Sequence, residues 1–414
     1  MNVRRTAAVL AATAVIGTAA PAVAADPSPS ASVAIPDGLY GTADPTYDGV
    51  WRQSLALMAQ HEANVDPADK AVAWLAGQQC ASGAFPAFRA DPAKPCDAKV
   101  MVDTNMTAVA VQALATLTDR YDSQVQKAVT WLKSVQNKDG GWGYSAGAAT
   151  DANSTSLVIG ALTEAGVTVP GLRKDGKSPF DALWQLSLPC DGKDGGAFAY
   201  QPDKKGKLVA NADATAAAVL GGNGVTPAAD PQEDADTSAG CRPKQDDGLG
   251  EVAAHNGAAW LARTLEKDGY LKSALPGAED QPDYGNTADA VVALASAGYH
   301  DQATASLHWL EANAVKWAGQ SGPAAYAQLI FAAYAAKGGD AHDFGGKDLV
   351  TLLNATGPAP AAVTAEPAKA SPGGSEASDD NDGALSVAWT VGGGLLLGSL
   401  IGFGLMLRGR KRRQ

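Results

Sequence analysis

A short polar motif recurs along this chain at the spacing of a helix start. It reads Asp103-Thr-Asn105-Met-Thr107, Asp151-Ala-Asn153-Ser-Thr155, Asn211-Ala-Asp213-Ala-Thr215 and, with glycine in the middle, Asp283-Tyr-Gly285-Asn-Thr287. Three chemistries are open to such groups. Side-chain oxygens just ahead of an apolar run accept hydrogen bonds from the orphan N–H groups of a first helical turn. Recurrence favours that role, because a single catalytic acid need not repeat. Proton donation is the second chemistry, and Asp213 is the residue placed to do it. A carboxylic acid donates usefully only when neighbours tune its pKa, and Asp213 has alanine on both sides. Asn105 and Asn153 hold the matching places and carry no acidic proton. The third chemistry is ligand capture. Asp103, Asn105, Asp151, Asn153, Asp213 and Asp283 would then line a site together with Phe85, Trp142, Tyr144, Phe198, Tyr200 and Tyr270. The plainer role for each aromatic is to pack the turn that carries it.

Metal chemistry finds little footing. None of the cysteines has zinc spacing, and the five histidines are scattered. Acids crowd the excursion from Gly221 to Gly250, but their spacing matches no EF-hand and reads as a solvated loop.

The elements that would position these groups repeat about every 50 residues. The clearest copy is Lys127 to Leu162. Ala128, Trp131, Leu132 and Val135 form one apolar stripe of a helix. Asp139-Gly140-Gly141 is the turn, with Trp142 after it, and Asp151 opens an apolar second helix through Leu162. Other copies carry Trp74-Leu75 with Phe85, Trp184 with Phe198, and Trp260-Leu261 with Tyr270; a worn one at Trp309-Leu310 lacks the aromatic turn. A first helix at Gly49–Gln60 and a last stretch from Gly346 to about Asn354 complete six outer and six inner helices, strictly alternating. Such units must stack to bury their faces. Twelve helices in this order can close into a ring or wind into an open superhelix.

The ends of the chain read differently. Residues 1–25 have the order of a secretory signal peptide: Arg4-Arg5, an apolar run, then Ala22-Val-Ala24. Residues 26–44 are a linker, 45–355 the repeat domain and 356–383 a second linker that would hold the body roughly 30 Å from a membrane. Ala384 to Leu407 is apolar and long enough to span a bilayer, and the basic tail 408–414 belongs on the cytoplasmic side. A single-pass protein of the cell membrane, with its body outside, is expected. Gly394, Gly398 and Gly402 would let two spans pack as a homodimer, although glycine is common in membrane helices anyway. The net charge is −12, and losing the seven cations of the two ends, with no acid among them, makes it −19. A body so acidic is a poor partner for nucleic acid. Outside the cell the cysteines should pair; Cys80 with Cys96 and Cys190 with Cys241 each close a local loop.

Lys127-Ala-Val-Thr-Trp131-Leu132, Gln136 and Gly140-Gly141-Trp142 resemble the QW-type repeat of the terpenoid cyclase and protein prenyltransferase superfamily. The resemblance implies an all-α fold, an (α/α)6 toroid, over about residues 45–355. Class II cyclases of that superfamily protonate an alkene with the middle acid of Asp-x-Asp-Asp-Thr-Ala. Asn211-Ala-Asp213-Ala-Thr215-Ala keeps that acid and loses both flanking ones. The zinc set of the prenyltransferases and the Cys-Gly-Glu-Gln thioester motif are missing. The chain is similar in character to the exported cobalamin carriers intrinsic factor and transcobalamin, with Asp103-Thr104-Asn105 as the compared stretch, but lacks their second β domain. The function expected is therefore a membrane-anchored extracellular module. It would capture a bulky apolar or corrin-like ligand, with a corrinoid as the cofactor-like candidate and a transporter or surface protein as partner. The alternatives are an exported cyclase-like enzyme with Asp213 as its acid, or a structural or protein-binding surface domain.

Overall fold

The structure, a computed structural model, describes residues 33–361 apart from 118, 238–239, 246–247 and 276. The signal peptide, the span at 384–407 and the glycines proposed for dimerisation lie outside the described residues. Among the described residues no helix is long and apolar enough to cross a membrane. Their helices are α1 (Gly49–Glu62), α2 (Asp69–Gly77), α3 (Thr104–Leu117), α4 (Asp122–Ser134), α5 (Ala152–Glu164), α6 (Pro179–Gln185), α7 (Ala212–Asn223), α8 (Leu249–Leu265), α9 (Tyr284–Ser296), α10 (His300–Asn313), α11 (Val315–Ser321), α12 (Pro323–Ala335) and α13 (Leu349–Asn354). One small antiparallel pair, β1 (Phe85–Pro86) and β2 (Val102–Asp103), ties the first turn to the start of α3.

Helices α1, α3, α5, α7, α9 and α12 each pack on the next, and α12 packs back on α1. This closed cycle of neighbours is consistent with an α/α toroid. Its members are rich in alanine and are buried over most of their length, so backbones approach closely. Gly221 and Gly222 show how closely: a Cβ on Gly221 would collide with Ser156 of α5, and one on Gly222 with α8.

Three departures from the expected pattern have physical reasons. Helix α11 is an addition, standing where the fifth copy lacks its aromatic turn. Helix α8 is not polar-faced; Val252 to Ala262 is buried throughout. The Gly221–Gly250 excursion is not a free loop. The Cys190–Cys241 disulfide holds it, and the Asn256 side chain bonds both the N–H and the carbonyl of Arg242. Its middle docks on the α9–α10 corner through Gln232 N to Ala295 O and Ala235 N to Gly298 O. The second disulfide, Cys80–Cys96, also forms as the loop argument expects.

Four of the six inner helices, α3, α5, α7 and α9, are each locked to the turn before by a threonine. Thr107, Thr155, Thr215 and Thr287 accept the N–H of Phe85, Trp142, Phe198 and Leu271 at 2.9, 3.0, 2.9 and 3.0 Å. The hydroxyl proton goes to the cap carbonyl of Asp103, Asn211 or Asp283, or to the Trp142 carbonyl. Two residues before each turn aromatic stands a glycine, Gly83, Gly140 or Gly196, at φ of +94°, +93° and +91°. Only glycine takes that conformation freely, and a Cβ there would strike the backbone of the next outer element. The ring closes at a seam between the two ends of the repeat domain. Gly41 N donates to Thr356 O, Tyr40 Oη to Pro358 O, and Gln60 Nε2 to Asn354 Oδ1.

Replacing Thr155 by valine keeps the shape and leaves the buried Trp142 N–H unpaired. Denaturant unfolding should show a loss of about 1–3 kcal/mol, whereas Thr130→Val, on the exposed face of α4, should stay within about 0.5 kcal/mol.

Candidate functional site at the helix starts

All six inner helices begin at one end of the ring, because an outer segment runs back between each pair. The motif residues therefore gather there, and the structure divides their labour. The first residue of each motif is the cap. Asp103 Oδ1 accepts from Met106 N at 2.8 Å, Asp151 Oδ1 from Ser154 N at 2.6 Å, Asn211 Oδ1 from Ala214 N at 2.8 Å and Asp283 Oδ1 from Asn286 N at 3.1 Å. Asp213 is not a cap. It stands two places further on, where Asn153 of the neighbouring helix donates Nδ2 to its Oδ2 at 2.6 Å.

Asp213 is also not alone. Asp283 and Asp289 lie within electrostatic reach, and Gln328 on α12 gives its Nε2 to both oxygens of Asp289 at 3.1 Å. Asn153, Asp213, Asp289 and Gln328 thus form a polar belt on the first two turns of four successive inner helices. Each keeps some accessible surface although protein surrounds it, as at the bottom of a depression. Burial raises the Asp213 pKa; the Asn153 amide opposes this and the Asp283 carboxylate adds to it. Burial, with Asp213 and Asp283 as neighbours, pushes Asp289 up to about 7. The caps feel the same cost. Burial lifts Asp103 to about 7 against the pull of the Met106 N–H and the Tyr144 hydroxyl, and lifts Asp151 to about 6 against Ser154.

Tyr144 and Tyr200 are half-buried and bridge copies: their hydroxyls bond Asp103 and Asp151 of the copy before. Phe85, Trp142 and Phe198 have no accessible surface. They fill the turns and touch nothing outside, so they are left out of the site. Tyr270 differs from the turn aromatic expected there. Leu271 bonds Thr287 in that role, and Tyr270 stacks outward on Trp309 at 4.4 Å, with Tyr284 and Trp317 continuing the stack at 5.4 and 5.6 Å. Asp289, Gln328, Tyr284 and Trp317 are the site residues that the repeat pattern does not reach. The one signal for Asp289 is an acid within the apolar run Ala288–Leu294. Among the described residues no three His, Cys, Asp or Glu side chains converge as metal ligands.

The three large apolar side chains left exposed among the described residues share this end. Tyr47 (68% exposed) precedes Asp48, the residue before α1; Met101 (69%) and Val209 (58%) each stand two residues before the caps Asp103 and Asn211.

Over part of its length the chain is similar to a terpenoid cyclase-like domain. The family model of the squalene-hopene cyclase C-terminal domain matches residues 99–168, from just before the Asp103 motif to just beyond the clearest copy. The match supports the terpenoid cyclase and prenyltransferase-like superfamily; the likeness to the cobalamin carriers gains no support from it. Among solved structures the chain is similar to a protein from Actinoplanes at 18% identity, over 66% of this chain and 74% of that one, with a TM-score of 0.41. No curated protein matches the chain.

The raised carboxyls set a pH dependence. Their native pKa values lie above the roughly 3.9 of an unfolded aspartate, so the native state holds protons that the unfolded state releases. That stability is complete below about pH 4 and is lost as pH rises through about 6 to 7. Thermal melts should therefore give a higher midpoint near pH 5 than near pH 8, and Asp289→Asn should raise the pH 8 midpoint by a few degrees and flatten the profile.

Proposed function

We propose that the chain is a membrane-anchored extracellular binding module whose ring captures a bulky apolar or corrin-like molecule at the mouth where the inner helices begin. The observation that carries this is the placement of Tyr47, Met101 and Val209. Large apolar groups are normally scattered over a surface; here each exposed one stands within two residues of the start of an inner helix or its cap. Support for shallow capture rather than a deep reaction chamber comes from α1 and α3. Their inner faces stay buried beyond the first turn, with Leu57, Met58, Val109 and Leu114 packed in the core, so little of the ring's axis is open on that side. Two disulfides suit an oxidising, exported setting. Capture needs no reacting group, only apolar contact and a few oriented hydrogen bonds.

The full-length protein in detergent tests this by titration with bulky organic probes, a corrinoid among them. A change in the visible spectrum of the corrinoid, or a ligand-dependent rise in melting temperature, is expected. The triple variant Tyr47→Ser, Met101→Ser, Val209→Ser should weaken binding at least about tenfold, the scale of losing contact from one well-buried apolar side chain. Absence of binding across the panel would end the capture reading.

A second reading has one observation in its favour. Asp213 is hydrogen-bonded by Asn153 and held toward its protonated form by burial, the support that an alkene-protonating acid requires. If the chain is a cyclase, it should convert a polyprenyl substrate, and Asp213→Asn should remove all product. No product from the unaltered protein sinks this reading.

A further inference from the structure

Acceptors outnumber donors at the mouth. Two places on from its cap, each motif carries Asn105 on α3, Asn153 on α5, Asp213 on α7 and Gly285 on α9. Asn105 is only 6% exposed, and its Oδ1 has no partner. It holds the repeat position from which Asn153 reaches Asp213. Asn153 spends its Nδ2 on Asp213, and its own Oδ1 is buried and unpartnered as well. Orphaned buried acceptors are costly, and with the neighbouring acids they leave this end of the ring electronegative. Across the ring, Gly285 contributes no side chain. The three atoms nearest a Cβ built there belong to Gln328 and Trp317, at 3.4 to 3.6 Å, ordinary contact, so the absent side chain leaves room for about one carbon beside them. Asp289 and Gln328 lie one turn deeper, Asp283 caps the same helix, and the rings of Tyr284 and Trp317 stack at 5.6 Å alongside. None of the groups acting electrostatically on Asp213 or Asp289 is a cation.

We infer that the captured molecule carries an organic cation, an ammonium or amidinium group. Its charge balances Asp213 and Asp289 in the field of the buried Asn105 and Asn153 amide oxygens, and its apolar body lies against Tyr284 and Trp317. This rests on the capture reading and names the chemistry of the ligand. The geometry of the acids favours a spread, multi-donor cation over a bare ion, since no three of them converge. An ammonium beside aromatic faces gains a further attraction once desolvated. The acidic body adds long-range steering, with a net charge of −12 over the whole chain.

Calorimetric titration of the full-length protein at pH 8 with adamantylmethylamine and with its neutral isostere adamantylmethanol decides the matter. The amine should bind at least about tenfold more tightly. In the double variant Asp213→Asn, Asp289→Asn that preference should fall below about threefold, with the alcohol unaffected and the melting temperature unchanged or raised. Should the double variant not fold, Asp289→Asn alone must still reduce the preference about threefold. Equal binding of the two probes overturns the cation inference and leaves capture standing. A preference for the amine that survives the variants places the cation elsewhere and overturns it too. Binding of neither probe overturns the cation inference, and the panel titration then decides the capture reading.

Discussion

The hydroxyl of one threonine in each of four copies is the constraint on which most of the ring depends. In a helix start the first N–H groups have no partner within the helix, and in a tight turn the same is true of the residue that points inward. Thr107, Thr155, Thr215 and Thr287 link those two problems. Each sits on the first turn of an inner helix and closes a hydrogen bond to the turn that precedes it. The turn residue is thereby driven into the core, and the cap side chain is left at the end of the ring with its oxygens near those of the next copy. Fixing the latch fixes the entry angle of the helix, and the entry angle fixes which residue two places on meets its neighbour.

That arrangement has an electrostatic consequence. A ring of like-oriented helix starts brings positive helix ends to one face, and carboxylates are favoured there. Asp103, Asp151 and Asp283 use this as caps. Asp213 and Asp289 do not cap anything, and their repulsion is relieved only by the amides of Asn153 and Gln328. Natural cores rarely carry such groups without a use, and the cost of holding them is concentrated at the end of the ring where the inner helices begin. A latch repeated around the ring therefore serves structure, while the exceptions to the repeat serve recognition.

The helical repeats, the turn aromatics and both disulfides were legible in the sequence because each is written locally. Trp142, Thr155 and Asp151 lie within 14 residues of one another, and their roles follow from spacing. The site was legible only in part. The cap residues announce themselves, yet Asp213 looks isolated among alanines, and the acids that act on it or feel it, Asp151, Asp283 and Asp289, stand more than sixty residues away along the chain. No local pattern joins Asp213 to Asp289 or Asn105 to Gly285; the closure of the ring does. Tyr270 misleads for a related reason. Its glycine invites comparison with the aromatic turns, but the register is shifted by one, and the residue that meets Thr287 is Leu271. Helix α11 is hidden by its shortness and by the worn copy that it replaces.

The seam has a consequence for how such a ring closes. Within the repeats, latches join residues fewer than 25 positions apart, whereas Gln60 meets Asn354 across 294. Contacts so remote carry the largest loop-closure cost of any in the ring. The walls they join, α1 and α12, offset that cost by packing on each other as extensively as neighbours within the repeats do. A closed circle made from a linear thread has one clasp, and here the clasp is built as solidly as the links.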